Sequence, residues 1–204
     1  MELNAKQLDA MRELGNIGAS HAATSLSTML MCQIDMTVPE AMVVDIADIG
    51  EYFGDEISAL VVFEINGEIN PGGYVVLHMP QSSAIRLTNT MLGTTDENRD
   101  FNEMDESALL EVGNIMVSQF LDATATLLGI VMLPSPPALA IDMAHAAFAN
   151  VVSMVTGDIN EIILFRTELT STVNDIASTI VMLPYENTLG RILELLDKLV
   201  DLKE

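Results

Sequence analysis

The chain has 204 residues, half of them apolar, and its 30 acidic and 8 basic residues give a formal net charge of −22 at pH 7. A surface this negative repels phosphate backbones and anionic lipids, which argues against nucleic acids and membranes as partners. No apolar stretch reaches the roughly 18 residues that a membrane-spanning helix needs. The N-terminus lacks the basic and apolar regions of a secretory signal, and the lone Cys32 has no disulfide partner, so we expect a cytoplasmic protein.

The acidic residues are spread along the whole chain and do not form a block. One explanation is adaptation to a salt-rich cytoplasm, where screening over ~3 Å at 1 M salt removes the repulsion between carboxylates. The other explanation is an acidic docking face for a basic partner. The even spread favours salt adaptation.

The first predicted elements are a long helix and an extended segment. Residues 5–31 have helical periodicity, and Asn4 is a suitable N-cap. At ~100° per residue, one side of this helix carries Asp9, Glu13, Asn16, Ser20, Thr24 and Ser27, and the opposite side carries Leu8, Met11, Gly15, Gly18, Ala22, Leu26 and Met29. Residues 34–46 are predicted to be extended, with an interruption at Pro39, because proline cannot donate a hydrogen bond to a neighbouring strand.

Two apolar, β-branched segments then predict an antiparallel hairpin. They are residues 57–65 and 69–79, and they flank Asn66-Gly67, a pair typical of a type I′ turn. The elements predicted after the hairpin are a helix over 81–92 that ends at Gly93, a polar linker over 94–102, a helix over 103–128, an extended segment over 130–142, a short helix over 144–154, strands over 161–170 and 176–183, and a helix over 188–201.

One motif occurs twice in the chain, 98 positions apart. Its order is Asp/Ser-x3-Glu-x2-Asn-x22-Pro, and its members are Asp9, Glu13, Asn16 and Pro39 in the first copy and Ser107, Glu111, Asn114 and Pro137 in the second. This repeat indicates an internal duplication of one helix-strand-hairpin-helix unit. We therefore expect a single domain over 1–204, made of two repeats over about 1–98 and 99–204.

The duplication predicts an α+β fold with pseudo-twofold symmetry, in which helices flank one mostly antiparallel sheet. Pro80 and Pro184 are 104 positions apart, not 98. We interpret this difference as a hairpin connection about six residues longer in the second half.

The repeated Glu and Asn are the candidate functional residues. Glu13 and Asn16 lie on one helical turn, with their Cβ atoms about 5 to 6 Å apart, and Glu111 and Asn114 repeat this placement. A single such pair is more often an ordinary solvated face, but its duplication together with the distant proline favours a function. A side-chain amide can orient a water molecule, as phosphoryl transfer requires, and a nearby carboxylate can pair with a lysine of another protein.

The sequence shows no motif for a metal site, a nucleophile or a cofactor. His21, His78 and His145 have no metal-ligand spacing, and we expect each to be a hydrogen-bonded structural histidine. There is no phosphate-binding loop, no nucleophile motif and no cofactor motif. The sequence therefore predicts no metal and no cofactor of its own.

The sequence E-x-G-N-I at 13–17 and again at 111–115, with a proline 23 positions after each asparagine, resembles the CheC/CheX/FliY family of chemotaxis phosphatases over nearly the whole chain. This resemblance implies that the substrate is phosphorylated CheY, whose aspartyl phosphate is hydrolysed. It implies that Asn16 and Asn114 orient the attacking water and that Glu13 and Glu111 contact a lysine of CheY. The Mg²⁺ would belong to CheY.

The resemblance also implies CheD as a second partner and, because one chain carries both motifs, a monomer. Two alternatives without strong catalysis stay open. One is a CheY-binding protein similar to the flagellar-switch relatives, which share the fold and generally lack the Glu/Asn pairs. The other is a CheD-binding adaptor with feeble phosphatase activity. The presence of both pairs favours the phosphatase.

Overall fold

Apart from α4 in the second half, the helices and strands of the described residues follow each other in the same order in the two halves of the chain. The computed structural model describes residues 4–45, 48, 52–156 and 161–201. The elements are α1 (Ala5–Leu30), β1 (Asp35–Met36), β2 (Glu40–Asp45), β3 (Ile57–Gly67), β4 (Gly73–Pro80), α2 (Gln81–Leu92), α3 (Glu103–Leu128), β5 (Met132–Pro134), β6 (Ala138–Met143), α4 (Ala144–Thr156), β7 (Glu161–Ser171), β8 (Ile176–Pro184) and α5 (Glu186–Asp201). The predicted α+β class is confirmed.

The ends of the long helices follow from local chemistry. The Asn4 side chain accepts a hydrogen bond from the Gln7 backbone N–H at 2.9 Å, and the Gln7 side chain accepts one from the Asn4 N–H in return. Asn102 and Asp105 form the same reciprocal cap at the start of α3. These caps satisfy amide groups that the first turn of a helix leaves without partners. The α2 helix ends as predicted at Gly93, which has a φ of 69°.

Within the described residues, eight strands form one sheet, and the pairings between them are all antiparallel. The strand order is β1-β7-β8-β4-β3-β5, with β2 also paired to β7 and β6 also paired to β3. At the centre, Val76 lies opposite Val181 and Leu77 lies opposite Ile180. Residues of β4 correspond to residues of β8 that lie 104 positions later in the sequence. Val76 is therefore the counterpart of Ile180, and Leu77 is the counterpart of Val181. The pseudo-twofold axis therefore passes between these two pairs.

The two halves exchange strands across this axis. β1 and β2 of the first half pair with β7 of the second, and β5 and β6 of the second half pair with β3 of the first. Each hairpin is thus extended by strands from the other half.

Both faces of the sheet are covered by apolar side chains. Residues such as Phe63 and Leu77 point to the face that α1, α2, α3 and α5 cover, and residues such as Leu60 pack with Phe148 of α4 on the other face. α1 and α3 pack closely because a Cβ on Gly18 would lie 2.7 Å from the Phe120 ring. None of the helices in the described ranges combines the length and apolar content that a membrane crossing needs.

The predicted position of the first hairpin turn is wrong. β3 continues through Asn66 and Gly67, which pair with Leu133 and Met132 of β5, and the connection to β4 spans 68–72. The sequence pair Asn-Gly is compatible with a turn, but here the strand exchange gives Gly67 a partner from the other half. A Cβ on Gly67 would lie 2.3 Å from a backbone oxygen of Val131, so glycine permits this close strand approach.

The predicted longer hairpin connection in the second half is also wrong. The β7–β8 connection spans 172–175 and is shorter than the 68–72 connection of the first hairpin. β6 begins 98 positions after β2, whereas β7 begins 104 positions after β3. The extra residues therefore lie before the second hairpin, where α4 packs against the sheet. Of the corresponding first-half segment over 46–56, residues 46, 47 and 49–51 lie outside the described residues.

Candidate active sites

The first candidate site lies on the exposed face of α1. Glu13 is exposed and Asn16 is half-buried, one turn further along the helix. Within the described part of the chain, neither side chain has a hydrogen bond or an ion pair. Asp9, one turn before Glu13, is also exposed. The polar groups of this pair are therefore free to act on another molecule.

The second candidate site repeats this arrangement on α3. Glu111 and Asn114 are both exposed, and so is Ser107 at the first position of the motif. Neither the Glu111 nor the Asn114 side chain has a polar partner among the described residues. The exposure of these side chains agrees with the sequence expectation.

The two pairs lie at opposite ends of the α1–α3 helix pair. Leu127, near the end of α3, lines a groove together with Glu13, near the start of α1, so the two helices run antiparallel. In the two repeats Glu111 corresponds to Glu13, and Met29 corresponds to Leu127. Because Glu13 lies beside Leu127, Glu111 lies beside Met29, near the other end of α1. The 16 residues from Glu13 to Met29 rise about 24 Å along the helix, so the chain presents two separate sites and does not bring the four residues together.

The motif prolines pack differently in the two sites. Pro39 is buried against α1, where a Cβ on Gly15 would lie 3.2 Å from the proline Cβ. At the second site a Cβ on Gly113 would lie 2.8 Å from Val61 Cγ1, so that part of α3 rests on β3, and Pro137 is half-buried. Gly15 and Gly113 thus allow α1 and α3 to pack closely against Pro39 and Val61.

The two sites have different surroundings. A groove of about 230 Å³ beside the first site is lined by Lys6, Asp9, Ala10, Glu13, Leu127, Leu196 and Leu199. The corresponding start of α3 is instead tied to the preceding linker through Asp105, whose side chain has no exposed surface.

Asp105 is the centre of a polar network. Its carboxylate accepts hydrogen bonds from the Arg99 guanidinium, from the Thr88 hydroxyl at 2.6 Å and from the Asn102 N–H at 2.9 Å. The Arg99 guanidinium, followed by the Thr88 and Asn102 hydrogen bonds, lowers the pKa of Asp105 to about 2 against the opposing effect of burial. Arg99 also donates to the Asn89 side chain, which fixes the linker to α2.

Thr37 and Ser135 are residues near the sites that the sequence analysis did not single out. The Thr37 N–H donates to the Glu168 carbonyl at 3.0 Å, and the Glu168 N–H donates to the Thr37 hydroxyl at 3.1 Å. Ser135 and Glu64 form the same two bonds, both at 2.9 Å. Each hydroxyl residue stands two positions before a motif proline, so a search for Thr/Ser-x-Pro at the 98-residue spacing could have found them.

The histidines do not form a metal site in the described part of the chain, where no group of three His, Cys, Asp or Glu is placed to hold an ion. The expectation of hydrogen-bonded histidines is wrong for His78, because neither ring nitrogen has a hydrogen-bond partner. Its ring packs edge-on against Phe53 and Phe148, which stack on each other in the apolar layer beneath α4. Burial, with a smaller effect from the charge of Arg166, lowers the pKa of His78 to about 4.

Comparison with known proteins matches both candidate sites to one family. The CheC-like family matches residues 7–43 and 104–141, and each matched segment contains one full copy of the repeated motif. The structure of FliY from Thermotoga maritima is similar in fold, with a TM-score of 0.79 at 23% identity over 97% of this chain and 99% of that one.

Two sequence relatives extend this match. The CheC1 protein of Halobacterium salinarum is 31% identical over 67% of this chain and 70% of its own length. A protein of Bacillus subtilis named CheY-P phosphatase CheC is 32% identical over 72% of this chain and 72% of its own length. With this identity and coverage, and with both motif copies inside the matched segments, the chain belongs to the CheC-like family.

Proposed function

We propose that this chain is a phosphatase that hydrolyses the aspartyl phosphate of the chemotaxis response regulator CheY. The observation that carries the proposal is the pair of solvent-facing Glu/Asn sites, one on α1 and one on α3, whose side chains have no polar partner among the described residues. The CheY-P phosphatase name of the Bacillus subtilis relative supports the choice of substrate.

The proposed catalytic role of Asn16 and Asn114 is to position water. An amide carries a donor and an acceptor on one small group, so it can hold a water molecule in line with the phosphorus atom. Phosphoryl transfer depends mainly on such alignment and on charge stabilisation, which suits a site that has no nucleophile of its own. The Mg²⁺ that stabilises the phosphoryl charge would be held by CheY.

The proposed role of Glu13 and Glu111 is to dock CheY. Each carboxylate lies one turn before its asparagine and is exposed, so it can pair with a lysine beside the phosphorylated aspartate. Such a pair would fix how far and at which angle the asparagine enters the active site of CheY. Asp9, Ser107, Pro39 and Pro137 would then shape and support the helix faces that carry the pairs.

The proposal also covers the domain number, the oligomeric state, a second partner and the location of the protein. We propose that the chain acts as a single domain and as a monomer, which is supported by the strand exchange between its halves and by the presence of two sites in one chain. CheD is proposed as a second partner and the cytoplasm as the location, both on the basis of the family membership.

The decay of CheY phosphate tests the function. Radiolabelled CheY phosphate is followed with and without the chain, and the chain should accelerate the loss of label. The variant Asn16→Ala/Asn114→Ala should lose nearly all of this acceleration. Asn150→Ala, the same change at an exposed helical asparagine outside the motif, is the matched control and should keep it. Binding of CheY without any accelerated decay would favour the non-enzymatic adaptor.

A further inference from the structure

A short loop beside the first site is anchored at both ends. It consists of Thr37, Val38 and Pro39, between β1 and β2, and we call it the bracket. Two hydrogen bonds between Thr37 and Glu168, of 3.0 and 3.1 Å, fix one end of the loop to β7. Pro39 fixes the other end, because it is buried against α1 at Gly15. Both ends are therefore anchored to the sheet or to the active-site helix.

The residue between these anchors is an exposed valine. Val38 is 78% exposed, although Pro39 beside it is buried. Consecutive Cα atoms lie about 3.8 Å apart, so Val38 stands within one residue of the proline that touches α1 between Glu13 and Asn16. The bracket thus presents an apolar side chain to solvent at the edge of the first site.

The second half repeats the hydrogen-bonded end of the bracket, with a different exposed residue after it. Ser135 and Glu64 form the same two hydrogen bonds, and Pro136 occupies the place of Val38 and is also exposed. The duplication has therefore kept the two hydrogen bonds together with the Glu/Asn pair, and it has kept an exposed apolar residue next to them. Core packing does not explain this, because neither Val38 nor Pro136 is buried.

We propose that Val38 is a contact and specificity residue through which the first site binds the face of CheY around the phosphorylated aspartate. This inference rests on the proposed function. A residue whose backbone is held in place before binding loses little conformational freedom when a partner covers it, so its apolar area contributes efficiently to affinity. Because Val38 lies outside the Glu/Asn pair, it affects which protein is bound and not the alignment of water.

The test isolates the first site. In an Asn114→Ala background, initial rates of phosphate release are measured over a range of CheY phosphate concentrations, with and without Val38→Ser. The substitution should raise KM by roughly fivefold, as expected for losing part of a buried valine contact, and should leave kcat unchanged. Val38→Ile, which keeps an apolar side chain at this position, should have the same KM as the Asn114→Ala protein. Val173→Ser is the matched control, since Val173 is 75% exposed at the tip of the β7–β8 hairpin.

The outcomes separate this inference from the proposed function. An unchanged KM in the Val38→Ser variant, with hydrolysis intact, would overturn the role of Val38 and leave the phosphatase proposal standing. If the parent protein does not hydrolyse CheY phosphate, the phosphatase proposal fails. Titration calorimetry with CheY then still decides the role of Val38, because Val38→Ser must weaken binding relative to Val173→Ser for the contact to be real.

Discussion

Arg99 donates hydrogen bonds to both carboxylate oxygens of Asp105, whose side chain has no exposed surface. This ion pair joins the linker between the two halves to the first turn of α3, two turns before the second site. The first site has no counterpart to it, because the position equivalent to Asp105 is Gln7. The two repeats are therefore anchored by different means.

Replacing Asp105 with asparagine should destabilise the fold at neutral pH. The pKa of Asp105 is lowered from 3.8 to about 2, so its carboxylate contributes stability above about pH 4 that is lost as the pH falls toward 2. The contribution is about 2 kcal/mol. Urea unfolding of Asp105→Asn at pH 7 should show this loss, while Asp122→Asn, at an exposed position of α3, should not. Equal midpoints for parent and Asp105→Asn would contradict the stabilising role.

The buried His78 should make the fold sensitive to mild acid. Its pKa is lowered from 6.5 to about 4, so the folded state favours the neutral ring. Stability is fully present above about pH 6.5 and falls as the pH drops toward 4, by up to about 3 kcal/mol. Urea midpoints at pH 7.5 and pH 4.5 measure this loss. The variant His78→Leu should lose less stability over the same interval, and an identical loss in both proteins would show that other groups cause it.

Loss of one asparagine should leave the other site working. Asn16→Ala or Asn114→Ala alone should retain substantial phosphatase activity, because the two sites lie at opposite ends of the α1–α3 pair and neither contributes to the other. At each altered site the loss of water positioning should cost about 10²-fold. Rates of CheY phosphate decay check this. A single variant that is as inactive as the double variant would mean that only one site is catalytic.

The carboxylates should affect binding more than turnover. Glu111→Gln in a Glu13→Gln background should weaken the apparent affinity for CheY and lessen its dependence on salt, because an exposed docking charge acts mainly on the encounter. Turnover at saturating CheY should fall less than in the asparagine variants. Abolished turnover with intact binding would instead identify the glutamate as a catalytic base.

Salt should stabilise the protein over a wide range. Repulsion among 30 acidic residues, balanced by only 8 basic ones, persists where the Debye length is ~10 Å, at 0.1 M salt, and is largely removed at molar concentrations. The thermal midpoint should therefore rise continuously from low salt to molar KCl. Potassium chloride is preferable to sulfate, which also strengthens apolar burial. A midpoint that is flat between 0.1 M and 2 M KCl would favour a basic partner as the reason for the acidic surface.

Local patterns predicted the helices well because their signals lie within a few residues. α2 and α3 have the predicted bounds, since a Gly93 C-cap and an Asn102 N-cap mark their ends. The Asn66-Gly67 turn was predicted wrongly because the decisive partner, Met132, lies in the other half of the chain. A pattern of neighbouring residues contains no information about such a distant pairing.

At the candidate sites, too, the sequence predicted the features that depend on neighbouring residues and missed those that depend on distant pairings. Periodicity was sufficient to place Glu13 and Glu111 on exposed helix faces. It could not show that Thr37 and Ser135 hold the loops next to the prolines, because their partners Glu168 and Glu64 are contributed by strands of the opposite half. The catalytic roles of the Glu/Asn pairs stay predictions until the variants are measured.

The exchange of strands between the halves bears on how the polypeptide can be divided. A break in the exposed linker over 94–102 would leave one fragment with β1 to β4 and another with β5 to β8. β2 would then be separated from β7, and β6 from β3, so neither fragment could complete its own sheet. Two such fragments, expressed together, are expected to reassociate and regain the fold, which would make this protein suitable for complementation assays in which activity reports that two halves have met.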